Sequence, residues 1–225
     1  AGDRILMIDT ADVTKATTQR VSELLKGVPN SKVTLKIERR GEKKPMKVEI
    51  VRKQVAVKQV VHYGVYGNGT GYIYLEGFRE KSADEVREAF EDLKKNHHIT
   101  SLVLDLRDNG GGLLSSAVQI VNLFVPKGRE VLSTRSRMKF WDRTYRTTLD
   151  PVDSVIPLAV IINGNSASAS EIVSGALQDM DRAVLIGNRS FGKGLVQTPR
   201  DLPYDGQVKI TTSKYYIPSG RCIQQ

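Results

Sequence analysis

The sequence is poor in the residues that build disulfides and metal clusters. It has one cysteine, Cys222, and three histidines, His62, His97 and His98. A single cysteine excludes an intrachain disulfide and a cysteine-based metal cluster, and the histidines lack the spacing of a zinc motif. We therefore expect no metal and no cofactor.

Long apolar runs are also missing. No stretch approaches the ~18 apolar residues of a membrane-spanning helix, so we expect no integral membrane segment in this chain. Apolar residues nevertheless make up 40% of the 225 positions. That content is enough for a buried core, in one large domain or two small ones.

The net charge of +9 comes from 34 lysines and arginines against 25 acids. These charges are scattered, without a basic motif interleaved with aromatic residues, which argues against nucleic acid as a partner and weakly favours acidic ones. Residues 129–148 do combine arginines with Phe140, Trp141 and Tyr145. A strand pair or a flap beside a cleft is the favoured interpretation, and a nucleic-acid surface is the alternative.

The first 52 residues predict a strand, a helix and two paired strands, at residues 4–9, 17–26, 32–38 and 46–51. This order, together with Gly-Asp-Arg-Ile-Leu-Met-Ile-Asp at residues 2–9, resembles the later part of a PDZ domain. PDZ domains bind carboxyl-terminal peptides by strand addition. The resemblance implies a peptide-groove wall near Thr17 and Val21, in a domain whose amino-terminal part is missing.

From residue 71 to residue 187, strand-like and helix-like patterns alternate. The predicted strands are residues 71–75, 102–106, 158–162 and 183–187, and the predicted helices are residues 82–95, 114–124 and 168–180. This alternation predicts an α/β core with a mainly parallel sheet.

Small residues surround Ser168 at a predicted strand-to-helix corner. A hydroxyl there lies near the positive end of a helix dipole, where a nucleophile would be accessible to a substrate. The alternative is purely structural, because Ser168 and Glu171 have the spacing of a capping box.

Two further loops are expected to approach this corner. The predicted helix advances ~18–20 Å and the next strand returns ~17–20 Å, which would bring Lys193 back to the level of Ser168. The three glycines at residues 110–112 follow another strand of the sheet. Loops at the carboxyl ends of parallel strands share one edge, and glycine backbone amides can approach a reacting carbonyl there. A turn that needs positive φ is the structural alternative for these glycines.

Three motifs resemble those of the carboxyl-terminal processing (tail-specific) proteases, S41-type serine peptidases that carry a PDZ domain. They are Asp-Leu-Arg-Asp-Asn-Gly-Gly-Gly at 105–112, Asn-Ser-Ala-Ser-Ala-Ser-Glu-Ile at 165–172 and Phe-Gly-Lys-Gly-Leu-Val-Gln at 191–197. The resemblance implies a ClpP/crotonase-like peptidase core at residues 53–225, truncated at its carboxyl end, after a truncated PDZ-like domain at 1–52.

The resemblance also implies the catalytic groups. Ser168 would be the nucleophile, Lys193 the general base, and Gln197 the residue that orients the lysine.

The oxyanion donors implied by the resemblance are the N–H groups of Ala169 and of one glycine, with Gly111 preferred over Gly112. Glu171 and Asp179 would have supporting roles.

A lysine can serve as a general base only when its amine is neutral. An ordinary lysine has a pKa of ~10.4, so neutrality near pH 7 costs roughly 4–5 kcal/mol, which desolvation can supply. Phe191, Leu195 and Val196 are the apolar neighbours in sequence. The same requirement predicts that no carboxylate pairs closely with Lys193.

The expected function is that of a serine endopeptidase that cleaves polypeptides near accessible carboxyl-terminal tails, with substrates recruited through the PDZ domain. The resemblance implies a periplasmic or cell-envelope location. Two alternatives stay open: an inactive peptide-binding scaffold of the same fold, and an acyl-CoA enzyme of the crotonase type. Homo-oligomers are also compatible with the sequence.

Overall fold

The computed structural model describes residues 2–53, 57–204 and 206–225. The chain divides into two compact units, Ala1–Val57 and Lys58–Gln225. This division falls five residues after the expected boundary between residues 52 and 53. None of the described helices is long and apolar enough to cross a membrane.

The first unit is a four-stranded antiparallel sheet with one helix. Its elements are β1 Arg4–Ile8, β2 Ala11–Asp12, α1 Thr18–Leu25, β3 Lys32–Glu38 and β4 Met46–Val51, and the strand order is β2-β1-β3-β4. The four predicted elements are therefore confirmed. The two-residue strand β2 was not predicted, because a strand that short has no measurable periodicity.

Buried and more exposed residues alternate along β3, and this pattern explains how the first unit forms a core. Val33, Leu35 and Ile37 are buried while the residues between them are more exposed, as a sheet with one covered face requires. The apolar side of α1 packs against that face through Val21 and Leu24.

The second unit contains three helices and nine strands among its described residues. The helices are α2 Ser82–His97, α3 Leu114–Asn122 and α4 Ala169–Asp179. The strands are β5 Val60–Tyr66, β6 Thr70–Leu75, β7 Ser101–Asp105, β8 Glu130–Ser136, β9 Arg143–Arg146, β10 Leu158–Ile162, β11 Val184–Gly187, β12 Leu195–Asp201 and β13 Gln207–Tyr216.

Five of these strands form the central sheet, in the order β11-β10-β7-β6-β5. The pairs β6–β7, β7–β10 and β10–β11 are parallel, and only β5 runs antiparallel to its neighbour. The predicted α/β core with a mainly parallel sheet is confirmed. Apolar side chains of α2, α3 and α4 pack with those of the sheet in one hydrophobic core.

A second sheet is antiparallel and has the order β12-β13-β8-β9. Its strands β8 and β9 come from residues 129–148, so the strand pair expected there is confirmed. Phe140 and Trp141 belong to a short 3-10 turn in the segment of chain that connects β8 to β9, and both are partly exposed.

The register of the central sheet brings three loops to one edge. Ile161 of β10 pairs with Asp105 of β7, and Ile162 pairs with Gly187 of β11. All three strands are parallel and end at the same level. The loops at residues 106–113, 163–168 and 188–194 therefore leave the sheet side by side.

Candidate active site

Ser168 occupies a strained corner directly before α4. Its backbone has φ 55° and ψ −110°, which is the left-handed side of conformational space that non-glycine residues avoid. Such conformations cost of order 1–3 kcal/mol, and they are concentrated at functional sites. The serine itself is half-buried at the edge of the sheet.

Side-chain hydrogen bonds tie this corner to the loop after β7. Ser166 Oγ donates to the Leu106 carbonyl at 2.7 Å. Asp108 Oδ1 accepts hydrogen bonds from the side-chain amides of Asn163 at 2.9 Å and Asn165 at 2.8 Å. The two loops therefore hold each other in place.

The carboxylate of Glu171 joins the serine corner to the lysine loop. Its Oε2 accepts hydrogen bonds from the N–H of Ser168 at 2.7 Å and from the N–H of Lys193 at 2.8 Å, and its Oε1 accepts from the N–H of Gly192 at 2.6 Å. Glu171 is 4% exposed, so these bonds to an ionised acceptor are shielded from water. The capping interaction expected between Glu171 and Ser168 is present, and it also fixes the segment that carries Lys193.

Gly111 lies directly against the serine corner. A Cβ atom at this position would lie 2.6 Å from the Ala167 carbonyl oxygen, 2.8 Å from Ser168 Cβ and 2.9 Å from the Ala169 nitrogen. Its φ is +95°, so both the space and the backbone require glycine here. The glycine loop and the serine corner thus meet, as the sequence predicted.

The expected oxyanion donors were the N–H groups of Ala169, Gly111 and Gly112. Among the described residues, those of Ala169 and Gly112 have no protein acceptor. The N–H of Gly111, in contrast, donates to Asn109 Oδ1 at 2.9 Å. Amides without an internal acceptor are suited to stabilise a developing negative charge on a substrate oxygen.

Comparisons with known proteins identify the family of this chain. A sequence profile of Peptidase family S41 matches residues 69–225. The chain belongs to this family. A carboxy-terminal-processing protease of Bartonella bacilliformis is 41% identical over 227 residues, covering 100% of this chain and 52% of the relative. The chloroplastic carboxyl-terminal-processing peptidase 1 of Arabidopsis thaliana is 35% identical over 223 residues, covering 97% of this chain and 45% of the relative.

A solved structure shares the fold as well. It is a photosystem II D1 C-terminal processing protease, with a TM-score of 0.65, 31% sequence identity and coverage of 99% of this chain and 60% of that one. The chain spans about half the length of the curated relatives it matches. S41 members of this type are serine-type peptidases, which are hydrolases.

The structure corrects one expectation about Lys193. Lys193 is exposed, and Phe191 is 60% exposed, so the apolar neighbours do not bury the amine in this conformation. Leu195 and Val196 are half-buried, but neighbours in sequence cannot predict whether such side chains cover the amine, because this depends on how β12 and its flanking loop pack. The other expectation agrees with the structure: none of the described carboxylates forms an ion pair with the Lys193 amine.

Gln197 lies in β12 opposite Thr211, next to a β-bulge between Val196 and Gln197. Its side chain is exposed, and it forms no hydrogen bond with Lys193. The orienting role of Gln197 therefore stays a prediction.

Asp179 lies away from Ser168, and its supporting role stays a prediction. It ends α4, about 16 Å along the helix from Ser168, and its carboxylate pairs with Arg221 at 3.2 Å and accepts the Ser219 N–H at 2.9 Å. The chain then continues to Gln224, whose Oε1 accepts the N–H of Gly194 at 3.0 Å. Asp179 thus fixes the segment that packs on the lysine loop, and no sequence signal pointed to Gln224.

In the first unit, the residues expected at a peptide groove are Thr17 and Val21, and the structure places them in different surroundings. Thr17 is the N-cap of α1 and accepts the Arg20 N–H at 3.3 Å. Val21 lines an open apolar cavity of about 750 Å³ together with Val33 and Ile50. Peptide binding in this unit stays a prediction.

Asp105, at the end of β7, is buried and forms hydrogen bonds with two less buried side chains, Tyr72 and Arg107. Burial opposes its ionisation, but hydrogen bonds from Arg107 and from the Tyr72 hydroxyl, which lies 2.6 Å away, hold the pKa of Asp105 below its usual range. Burial, followed by the contact with Asp105, raises the pKa of Tyr72 to about 12. Tyr72 was not singled out from the sequence, because only the fold brings β6 beside β7.

The Glu171 bridge predicts a specific change in hydrogen exchange. In a Glu171→Gln variant, one amide oxygen replaces two carboxylate oxygens, and the new NH₂ group faces backbone donors. Amide exchange measured by NMR should then be at least about tenfold faster at Gly192 and Lys193 than in the unaltered chain. The Glu88→Gln variant, at an exposed position of α2, is the control. Equal exchange in both variants would show that the bridge does not hold the loop.

The Tyr72 contact predicts a loss of stability at high pH. Between pH 10 and 12 the unfolded phenol is ionised while the folded one keeps its proton, so stability falls as pH rises through this window. Urea unfolding measured at several pH values should show a shallower decline for Tyr72→Phe than for the unaltered chain. Tyr204→Phe, at a fully exposed position, should leave the slope unchanged. Identical slopes for all three proteins would contradict the assignment.

Proposed function

We propose that this chain is the catalytic part of a serine endopeptidase that cleaves polypeptides near their carboxyl termini. The observation that carries the proposal is the strained Ser168, whose backbone N–H shares the Glu171 carboxylate with the N–H of Lys193. One buried group thus fixes the backbone of a candidate nucleophile and the backbone of a candidate base.

In the proposed acylation step, the neutral Lys193 amine takes the proton of Ser168 as the hydroxyl oxygen attacks the scissile carbonyl. The resulting oxyanion accepts hydrogen bonds from the N–H groups of Ala169 and a glycine. The free N–H of Gly112 supports this residue as the glycine donor, whereas the N–H of Gly111 is occupied.

Collapse of the intermediate breaks the peptide bond, and the Lys193 ammonium returns the proton to the departing amine. Water then attacks the acyl-enzyme, with the same amine as general base, and the resulting ammonium returns the proton to Ser168 Oγ as the carboxylic acid product leaves. Lys193 is exposed in this conformation, so the proposal includes a bound substrate that covers the lysine and excludes water, as a lysine base requires. Gln197 would orient the amine in that covered state.

Substrate recruitment through the first unit is a further part of the proposal. The open apolar cavity beside α1, with Val21 in its wall, has the chemistry to accept the apolar side chains of an extended polypeptide tail. The relatives are carboxyl-terminal processing proteases of bacteria and chloroplasts, which supports an extracytoplasmic location for this chain.

One observation favours a second candidate, an inactive peptide-binding scaffold. Lys193 is exposed to solvent in this conformation, and it lacks the desolvated surroundings that a lysine needs to act as a general base. The scaffold would bind the same polypeptides without cleaving them.

Labelling and cleavage by defined variants test the proposal against this alternative. A serine-directed acylating probe should label the unaltered chain and the exposed Ser154→Ala control, and it should not label Ser168→Ala. Cleavage of a tailed peptide should fall by about 10²–10⁴-fold in Lys193→Arg and remain unchanged in the exposed Lys209→Arg. Equal labelling of Ser168→Ala, or retained turnover in both Lys193→Arg and Lys193→Ala, would refute the assigned roles. Binding without any cleavage by the unaltered chain would establish the scaffold.

A further inference from the structure

Asn109 lies at the point where the glycine loop, the serine corner and the end of β6 meet. Its side chain is fully buried, its Nδ2 donates to the Leu75 carbonyl at 2.8 Å, and its Oδ1 accepts the Gly111 N–H at 2.9 Å. We infer that Asn109 is a positioning residue that sets the direction of the backbone amide used for oxyanion stabilisation. This inference rests on the proposed function.

The backbone of Asn109 serves the same junction. Its carbonyl accepts the Ala167 N–H at 3.1 Å and the Ser170 hydroxyl at 2.8 Å. These residues flank Ser168 and Ala169, so one residue contacts the segments that carry both proposed oxyanion donors. Both polar atoms of the Asn109 side chain also form hydrogen bonds with backbone groups, as a buried amide requires.

The orientation of the Gly112 N–H follows from these contacts. The carbonyl of Gly111 accepts the Phe78 N–H at 3.2 Å, and in a trans peptide the C=O and the following N–H point in opposite directions. The Gly112 N–H is therefore directed away from Phe78. The preceding peptide is held by Asn109, so neither peptide of this flexible glycine loop is free to rotate.

A glycine loop without the Asn109 side chain would sample other peptide orientations. Oxyanion stabilisation depends on donors that are already aligned, and the loss of one donor typically costs about 10²–10³-fold in kcat. Because Asn109 acts through Gly112 and does not touch the reacting atoms, its removal should cost less. The expected loss is about 10–100-fold in kcat, with little change in KM.

The chain contains a matched control. Asn122 is also a buried asparagine, 5% exposed, whose Nδ2 donates to the Leu149 carbonyl and whose Oδ1 accepts backbone N–H groups of Thr148 and Leu149. It ends α3, and its side-chain hydrogen bonds reach only Thr148 and Leu149 among the described residues. Asn122→Ala should therefore lower stability as Asn109→Ala does, and leave kcat unchanged at temperatures where both variants are folded.

The first test does not depend on peptidase activity. In NMR experiments on the full chain, Asn109→Ala should increase amide exchange at Gly111 by at least about tenfold, and Asn122→Ala should not. The second test is kinetic, with a tailed peptide as substrate and Ser168→Ala as the blank. Asn109→Ala should lower kcat while KM changes less than about threefold.

A pH profile separates positioning from general destabilisation. In Asn109→Asp, the protonated carboxyl can donate to Leu75 and accept from Gly111, as the native amide does, while the ionised form cannot donate. The ratio of its kcat to that of the unaltered chain should rise as pH falls.

A flat ratio, or equal kcat losses in Asn109→Ala and Asn122→Ala, would overturn the inference and leave the proposed function intact. If no peptide is cleaved by the unaltered chain, the proposed function fails, and the Gly111 exchange result still decides whether Asn109 positions the loop.

Discussion

The site depends on one buried carboxylate that accepts hydrogen bonds from three backbone amides. Glu171 belongs to the first turn of α4, so its position is fixed by a helix packed in the core. From there it holds the N–H groups of Ser168, Gly192 and Lys193. Two loops that are far apart in sequence therefore share a single anchor, and the strain at Ser168 is maintained because the surroundings fix it.

The parallel sheet makes this arrangement possible. Three strands that run in the same direction and end at the same level deliver their loops to one edge. Each loop contact joins a backbone group or a short side chain: Ser166 Oγ donates to the Leu106 carbonyl, Asp108 accepts from the side chains of Asn163 and Asn165, and the Ala167 N–H donates to the Asn109 carbonyl. Short side chains and backbone groups have few conformations, so they suit a site whose donors must be aligned before a substrate arrives.

Much of this fold could be predicted from sequence periodicity. The strand β10, the helices of the second unit and the approach of the glycine loop to the serine corner all follow from apolar spacing and from the geometry of parallel sheets. The double role of Glu171 could not be predicted, because the capping box explained only its contact with Ser168. The exposure of Lys193 was also missed, since solvent access depends on how β12 and the carboxyl-terminal segment pack, and not on neighbours in sequence.

The central claim is that a hydroxyl and a neutral amine act together at the edge held by Glu171. A crystal structure of the chain acylated at Ser168 by a serine-directed probe tests it most directly. We expect the Lys193 amine within hydrogen-bonding distance of the Ser168 ester oxygen, the probe carbonyl oxygen bonded to the Ala169 N–H, and the Glu171 contacts unchanged. An acylated Ser168 with the Lys193 amine still in solvent, or a probe attached elsewhere, would contradict the account.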